Sequence, residues 1–109
     1  MEFAPVFRRA VDEFNAGHFH EAHELWERLW NEAEGDERRL LQALVQAAVG
    51  FHKAEIGVPN GARKLWTSAL RLLDATGDAE LGIDVAKLRE TLRRSLSAFA
   101  GETPRIERF

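Results

Sequence analysis

Cysteine is absent from this chain of 109 residues, and with it any disulfide framework, thiolate metal site or cysteine nucleophile. That absence is compatible with a cytoplasmic protein. A long unbroken apolar run is missing too. The most apolar segment, Arg39 to Ile56, is interrupted by Gln42, Gln46, His52 and Lys53 and is too short to cross a bilayer comfortably. The first ten residues lack the basic start and apolar core of a signal peptide, so a cytoplasmic location is expected. Basic excess is lacking as well: the net charge of -3 argues against nucleic acid as the main partner. The doublets Arg8–Arg9, Arg38–Arg39, Arg63–Lys64 and Arg93–Arg94 read as parts of a solvated mixed-charge surface. No phosphate loop, nucleophile elbow or dinucleotide fingerprint occurs, and Ser68, Ser95 and Ser97 have no base beside them. No stretch reads as a strand.

What is present is helical periodicity. Arg39 to Ile56 carries Leu40, Leu41, Ala43, Leu44, Val45, Ala47, Ala48, Val49, Phe51, Ala54 and Ile56, apolar on nearly every side. Such a helix belongs in the middle of a bundle. Before it, Pro5 suits a first helical position, Val6, Phe7, Ala10, Val11 and Phe14 recur at helical spacing, and Asn15 and Gly17 end the helix. A second helix is expected from about Phe19 to Ala33, stopped by Gly35, with Asp36 as N-cap of the central helix. Gly57, Pro59, Asn60 and Gly61 form a break. A fourth helix then turns Ala62, Leu65, Trp66, Ala69, Leu70 and Leu73 inward and ends near Gly77. Asp84 is the expected cap of a fifth, striped by Val85, Leu88, Leu92, Leu96 and Phe99, and the tail from about 101 to 109 reads as irregular.

A faint repeat runs at an offset of 40: Gly17, Ala22, Leu25 and Trp26 align with Gly57, Ala62, Leu65 and Trp66. The first half resembles a tetratricopeptide hairpin, but two copies are fewer than the roughly three a solenoid needs. The expectation is one all-α domain over residues 1–109, a compact bundle of about five helices built from two helical hairpins plus a C-terminal helix.

The segment Gly17 to Trp30 holds the candidate chemistry. At 100° per residue, Phe19, Ala22, Trp26, Leu29, Trp30 and Ala33 form an apolar arc, with His23 at its edge, beside Glu27, His20 and Glu24. Imidazoles and carboxylates on adjacent turns are what a helix-borne divalent transition-metal site uses, which makes His23, Glu27 and His20 metal candidates. His23, Glu24 and Glu27 are the candidates for acid–base catalysis. The pattern is incomplete: His23-Glu24-Leu25-Trp26-Glu27 begins like a zincin helix but has glutamate where the second histidine belongs. The plainer alternative is a partly buried His23 hydrogen-bonded to Glu27 or to a carbonyl. On the central helix Arg39, Gln42, Gln46 and Lys53 form a polar strip, facing either the His23–Glu27 edge or a symmetry mate. His52, between Leu41, Val45 and Ile56, reads as a satisfied core residue, and the three tryptophans read as core with each indole N–H near an acceptor.

These residues carry a family resemblance. Phe14-Asn15-x-Gly17-x-Phe19-x-Glu21-Ala22-His23-Glu24 with Glu27 and Trp30 is one half of the pattern. Leu41-Gln42-x-Leu44-x-Gln46-x-Ala48 with His52, Gly57 and Asn60-Gly61-Ala62 is the other. Together they resemble the small helical proteins grouped as domain of unknown function 309, over about Phe7 to Leu73. His20 departs from the pattern, which favours a bulky aromatic there. The resemblance implies an all-helical, cytoplasmic bundle and no activity. It also implies that Glu21, His23, Glu24, Glu27, Gln42, Gln46 and His52 belong to the family pattern, so Glu21, Gln42, Gln46 and His52 join as binding candidates.

Two functional readings follow. The first is a non-catalytic interaction or structural module, with a homo-oligomer as one form of it. The second is a metal-dependent or acid–base enzyme acting on a small molecule, using a His/Glu site between helices 2 and 3. Nucleic-acid binding through the arginine doublets is the weakest.

Overall fold

The structure, a computed structural model, describes residues 3–77, 79–98 and 106. Within them lie helices α1 (Phe3–Asn15), α2 (Phe19–Trp30), α3 (Gly35–Glu55), α4 (Pro59–Asp74) and α5 (Val85–Ala98). Packing follows chain order: α1 on α2, α2 on α3, α3 on α4 and α4 on α5. The chain is the all-α bundle of two hairpins and a C-terminal helix read from the sequence.

The repeat at offset 40 is visible atom by atom. After α1, Gly17 takes φ 85°, its N–H bonds the Phe14 carbonyl at 3.0 Å, and His18 N–H reaches back to Glu13 at 2.8 Å. After α3, Gly57 takes φ 79°, its N–H bonds Ala54 at 3.2 Å, and Val58 N–H reaches Lys53 at 2.8 Å. Both are Schellman caps, whose left-handed residue is glycine because a Cβ would crowd the following carbonyl. His18 and Val58 then accept the first bond of the next helix, from Ala22 and Ala62. One residue thus ends one helix and starts another.

The core joins the hairpins through aromatic rings. Phe14 packs on Phe19, Trp26 and Phe51, with centroids 5.2, 5.7 and 5.8 Å away, and Phe51 continues to Trp66 at 4.8 Å. Trp26 and Trp66 are buried as expected, whereas Trp30 is only half-buried. α3 meets α4 at Gly50, which lies directly against the Trp66 indole.

The C-terminal end of α4 draws cations from two helices. Arg39 Nη1 donates to the Ala75 carbonyl at 3.1 Å, and Arg89 donates to the Leu73 and Thr76 carbonyls at 3.2 Å each. Arg93 reaches Asp74 at 3.1 Å. Unpaired carbonyls and the negative end of the helix dipole favour guanidinium groups there. At the other end, Asn15 holds Ile106 by two bonds: its Oδ1 accepts the Ile106 N–H at 2.7 Å and its Nδ2 donates to the Ile106 carbonyl at 3.3 Å. Ile106 is buried.

Several sequence expectations are corrected. α2 stops at Trp30, not Ala33, because its last turn tightens: Ala33 N–H is shared between Leu29 and Trp30 carbonyls. Gly35 opens α3 at φ 62° where a stop after α2 was expected. Asp36 is not the N-cap; it lies inside the first turn, where Arg39 one turn on takes its carboxylate, and Glu34 holds the cap position without a side-chain cap bond. A two-residue antiparallel ladder, unforeseen, pairs Ala79 with Asp84 and Glu80 with Ile83. Its turn places Leu81 at φ 52° and Gly82 at φ 73°, the double left-handed pattern of a tight hairpin. Asp84 does cap α5, accepting the Lys87 N–H at 2.9 Å. Val85, Leu88 and Leu92 are buried and Leu96 half-buried. Phe99 and, apart from Ile106, the tail lie outside the described residues.

A Cβ at residue 50 would sit 2.5 Å from Trp66 Nε1 and 2.7 Å from its Cδ1. Gly50→Ala is therefore expected to destabilise the bundle by about 1–3 kcal/mol, outweighing the gain in helix propensity of up to ~1 kcal/mol. Chemical denaturation measures it, and an unchanged or raised midpoint would mean that α3 and α4 are less tightly apposed.

Candidate functional site

The predicted chemistry of α2 lies along one edge of that helix. His23 is half-buried, and its Nδ1–H donates to the His20 carbonyl at 2.9 Å. A carbonyl only accepts, so Nδ1 carries the proton and Nε2 points outward, 3.5 Å from Glu27 Oε2. His20 Nε2 meets Glu24 Oε1 at 2.5 Å, and His18 Nδ1 meets Glu13 Oε2 at 2.8 Å. Each of these three histidines thus has a glutamate of its own. Glu21 is exposed on another side of α2.

α3 splits the remaining candidates. His52 comes to the α2 edge: its ring lies 6.4 Å from that of His20, which lies 5.2 Å from that of His23. His52 is half-buried and makes no hydrogen bond among the described residues, so the expected satisfied core histidine is a boundary residue instead. Gln46 belongs elsewhere. It shares a helix side with Arg39, Gly50 and Lys53, and these three meet α4 at the Ala75 carbonyl, Trp66 and Gly61. Gln46 is therefore turned toward α4, away from the His23–Glu27 edge. Gln42 is exposed. Neither glutamine is brought to the His23–Glu27 edge: Gln46 turns toward α4 and Gln42 is exposed.

Three buried polar atoms also lack a hydrogen-bond partner among the described residues: Trp26 Nε1, Trp30 Nε1 and Gln46 Oε1. The expected acceptor near each indole is thus missing for Trp26 and Trp30. Trp30 gains a cation instead, with the Arg38 guanidinium 3.7 Å above its ring. Among the described residues no three His, Cys, Asp or Glu side chains are placed to hold a metal ion. No helix among them is long and apolar enough to cross a membrane.

Sequence reasoning missed two apolar surfaces. An open cavity of about 360 Å³ lies between α1 and the hairpin turn, lined by Phe3, Ala4, Phe7, Arg8, Val11, Leu81 and Gly82, none of them a predicted site residue. The second is the outward side of α3. Leu40, Leu41, Ala43, Leu44, Ala47, Ala48, Gly50 and Phe51 fill the buried side. Arg38, Gln42, Val45, Val49, His52 and Ile56 line the other and are half-buried or exposed, Ile56 at 60%. Their alternating spacing of four and three was available in the sequence but was masked by apolar residues all round the helix.

Fold and site together define a small all-helical module with a histidine–glutamate edge and an open face on its central helix. The chain matches the profile of the family described as domain of unknown function, DUF309, over residues 7–65, more than half its length, and it belongs to that family. It is also similar to an uncharacterized protein of Aquifex aeolicus (strain VF5), 27% identical over 94 residues. That alignment covers 85% of this chain and 28% of the Aquifex protein, so the chain spans less than a third of the length of that relative.

The His–Glu pairs are solvent-facing, with Glu24 and Glu27 side chains 50% and 61% exposed. Glu24→Gln and Glu27→Gln are each expected to change stability by under ~0.5 kcal/mol. His23→Ala also removes a side-chain bond to the backbone and is expected to cost ~1 kcal/mol. Urea denaturation separates these; a multi-kilocalorie loss in either glutamine variant would indicate a buried network.

Proposed function

We propose that this protein is a non-catalytic helical interaction module whose contact surface is the outward face of α3. The observation that carries this reading is the half-buried pair Val45 and Val49 on one side of α3, continued by exposed Ile56 at its C-cap. The separation of Gln42 and Gln46 from His23 and Glu27 supports it, since a catalytic site needs its groups to converge. The 28% coverage of the Aquifex relative supports it as well, because modules recur inside longer chains. A photo-reactive residue placed at Val49 in cells is expected to give a discrete adduct, while one at exposed Arg71 on α4 gives none. Absence of any adduct from position 49 would sink the module reading.

One observation favours a second reading. His23 is locked with its Nε2 outward beside Glu27, and His20 and His52 lie next to it, an arrangement that ring rotation turns toward a shared divalent transition metal. Elemental analysis of untagged protein decides it. A stoichiometric metal lost in His23→Ala establishes the site and makes a metal-dependent enzyme the leading reading; protein without metal removes it.

A further inference from the structure

The outward residues of α3, continued by its C-cap residue Ile56, are spaced as a coiled-coil seam. Arg38, Gln42, Val45, Val49, His52 and Ile56 succeed one another by four, three, four, three and four residues. That places Gln42, Val49 and Ile56 at one seam position and Arg38, Val45 and His52 at the other. The seam is about 27 Å long at 1.5 Å per residue. All six side chains are half-buried or exposed.

We infer that a second copy of this chain occupies the seam, its α3 packed antiparallel across a two-fold axis that passes between Val45 and Val49. This rests on the module reading and names its occupant. About that axis the seam is complementary to itself, as an isologous interface requires. Val45 of one copy meets Val49 of the other, Gln42 meets His52, and Arg38 meets Ile56. The centre is then apolar, and two amide–imidazole pairs flank it. Those pairs give His52 the hydrogen-bond partner it lacks among the described residues. Outside them the aliphatic stem of each Arg38 lies along Ile56, the most exposed large apolar side chain among the described residues.

The alternatives fare worse on charge and on burial. A parallel seam sets Arg38 on Arg38 and His52 on His52, which places like groups in contact. Sliding the antiparallel register by one heptad leaves a third of the seam unpaired and sets at least one valine of each copy against a polar side chain. One helix face alone falls short of the roughly 800 Å² per partner typical of a stable complex. The half-buried Trp30 on α2, which lies under the Arg38 guanidinium, extends it.

The test uses the purified full chain, which has no cysteine of its own. Light scattering is expected to give twice the 12.4 kDa chain mass, and Val49→Glu to give the single-chain mass with the helical circular dichroism unchanged. Because residue 49 is partly exposed, that substitution leaves the core intact. Val45→Cys protein mixed with Val49→Cys protein and oxidised is expected to form the mixed disulfide in several-fold excess over either self-linked species. A monomeric wild type, a Val49→Glu dimer, or preferential self-linking would each overturn the proposal. A monomer that still yields a cellular adduct from position 49 with a different protein leaves the module reading standing and rejects only the second copy.

Discussion

The arrangement depends on a chain reversal made twice with the same hydrogen bonds. Gly17 and Gly57 both enter the left-handed region, and in each case the next residue closes one helix and opens another. A reversal with no spare residue leaves consecutive helices no choice but antiparallel contact. It also brings both turns to the same end of the bundle. His18 and His20 follow the first turn and His52 precedes the second, so the α2–α3 edge collects its imidazoles there because of the turns. Phe14, Phe19 and Phe51 flank the same two glycines and meet beneath them, which couples the reversal to the core. Substituting a side chain at either glycine would strain the backbone and misplace an aromatic layer together.

α3 shows how a helix can be central and still incomplete. Its buried side meets aromatic and aliphatic partners from α1, α2 and α4, and the Gly50–Trp66 contact draws α4 in until no side chain fits between. Its outer side carries the branched aliphatics Val45 and Val49, partly exposed, and each Å² of apolar surface left in water forgoes about 25 cal/mol. Val45 packs against the core from that side, whereas Val49 and Ile56 do not belong to the core cluster. That imbalance, more than the presence of exposed apolar atoms as such, separates this face from ordinary surface.

The fold was legible because it is written in periodicity and punctuation. Apolar residues at helical spacing, Gly17 and Gly57, and Asp84 as a cap each named their structural role. Boundaries failed where a local competitor was available: Arg39 captured Asp36 from the cap, and a tightened turn ended α2 early. The hairpin at Leu81–Gly82 was illegible because leucine gives no signal for a left-handed backbone. In the site, i,i+4 spacing located the His20–Glu24 and His23–Glu27 pairs, a matter internal to one helix. Which side of α3 meets α2 and which meets α4 is not internal to α3. Gln46, expected to face either the His23–Glu27 edge or a symmetry mate, is turned toward α4 instead.

His52 is where the two functional readings meet. It is the third imidazole of the α2–α3 edge, and it is also the seam residue opposite Gln42. A metal or acid–base site needs that ring free to turn toward His20 and His23, whereas a packed seam holds it against an amide. The same atoms cannot serve both at once, so occupancy of the seam withdraws the third imidazole from the edge. An assembled protein would then keep only the i,i+3 pair His20 and His23, each already paired with a glutamate. Two helix-borne imidazoles with their own carboxylates hold a divalent ion weakly compared with three convergent ligands. Assembly through α3 and metal chemistry at its edge are therefore opposed.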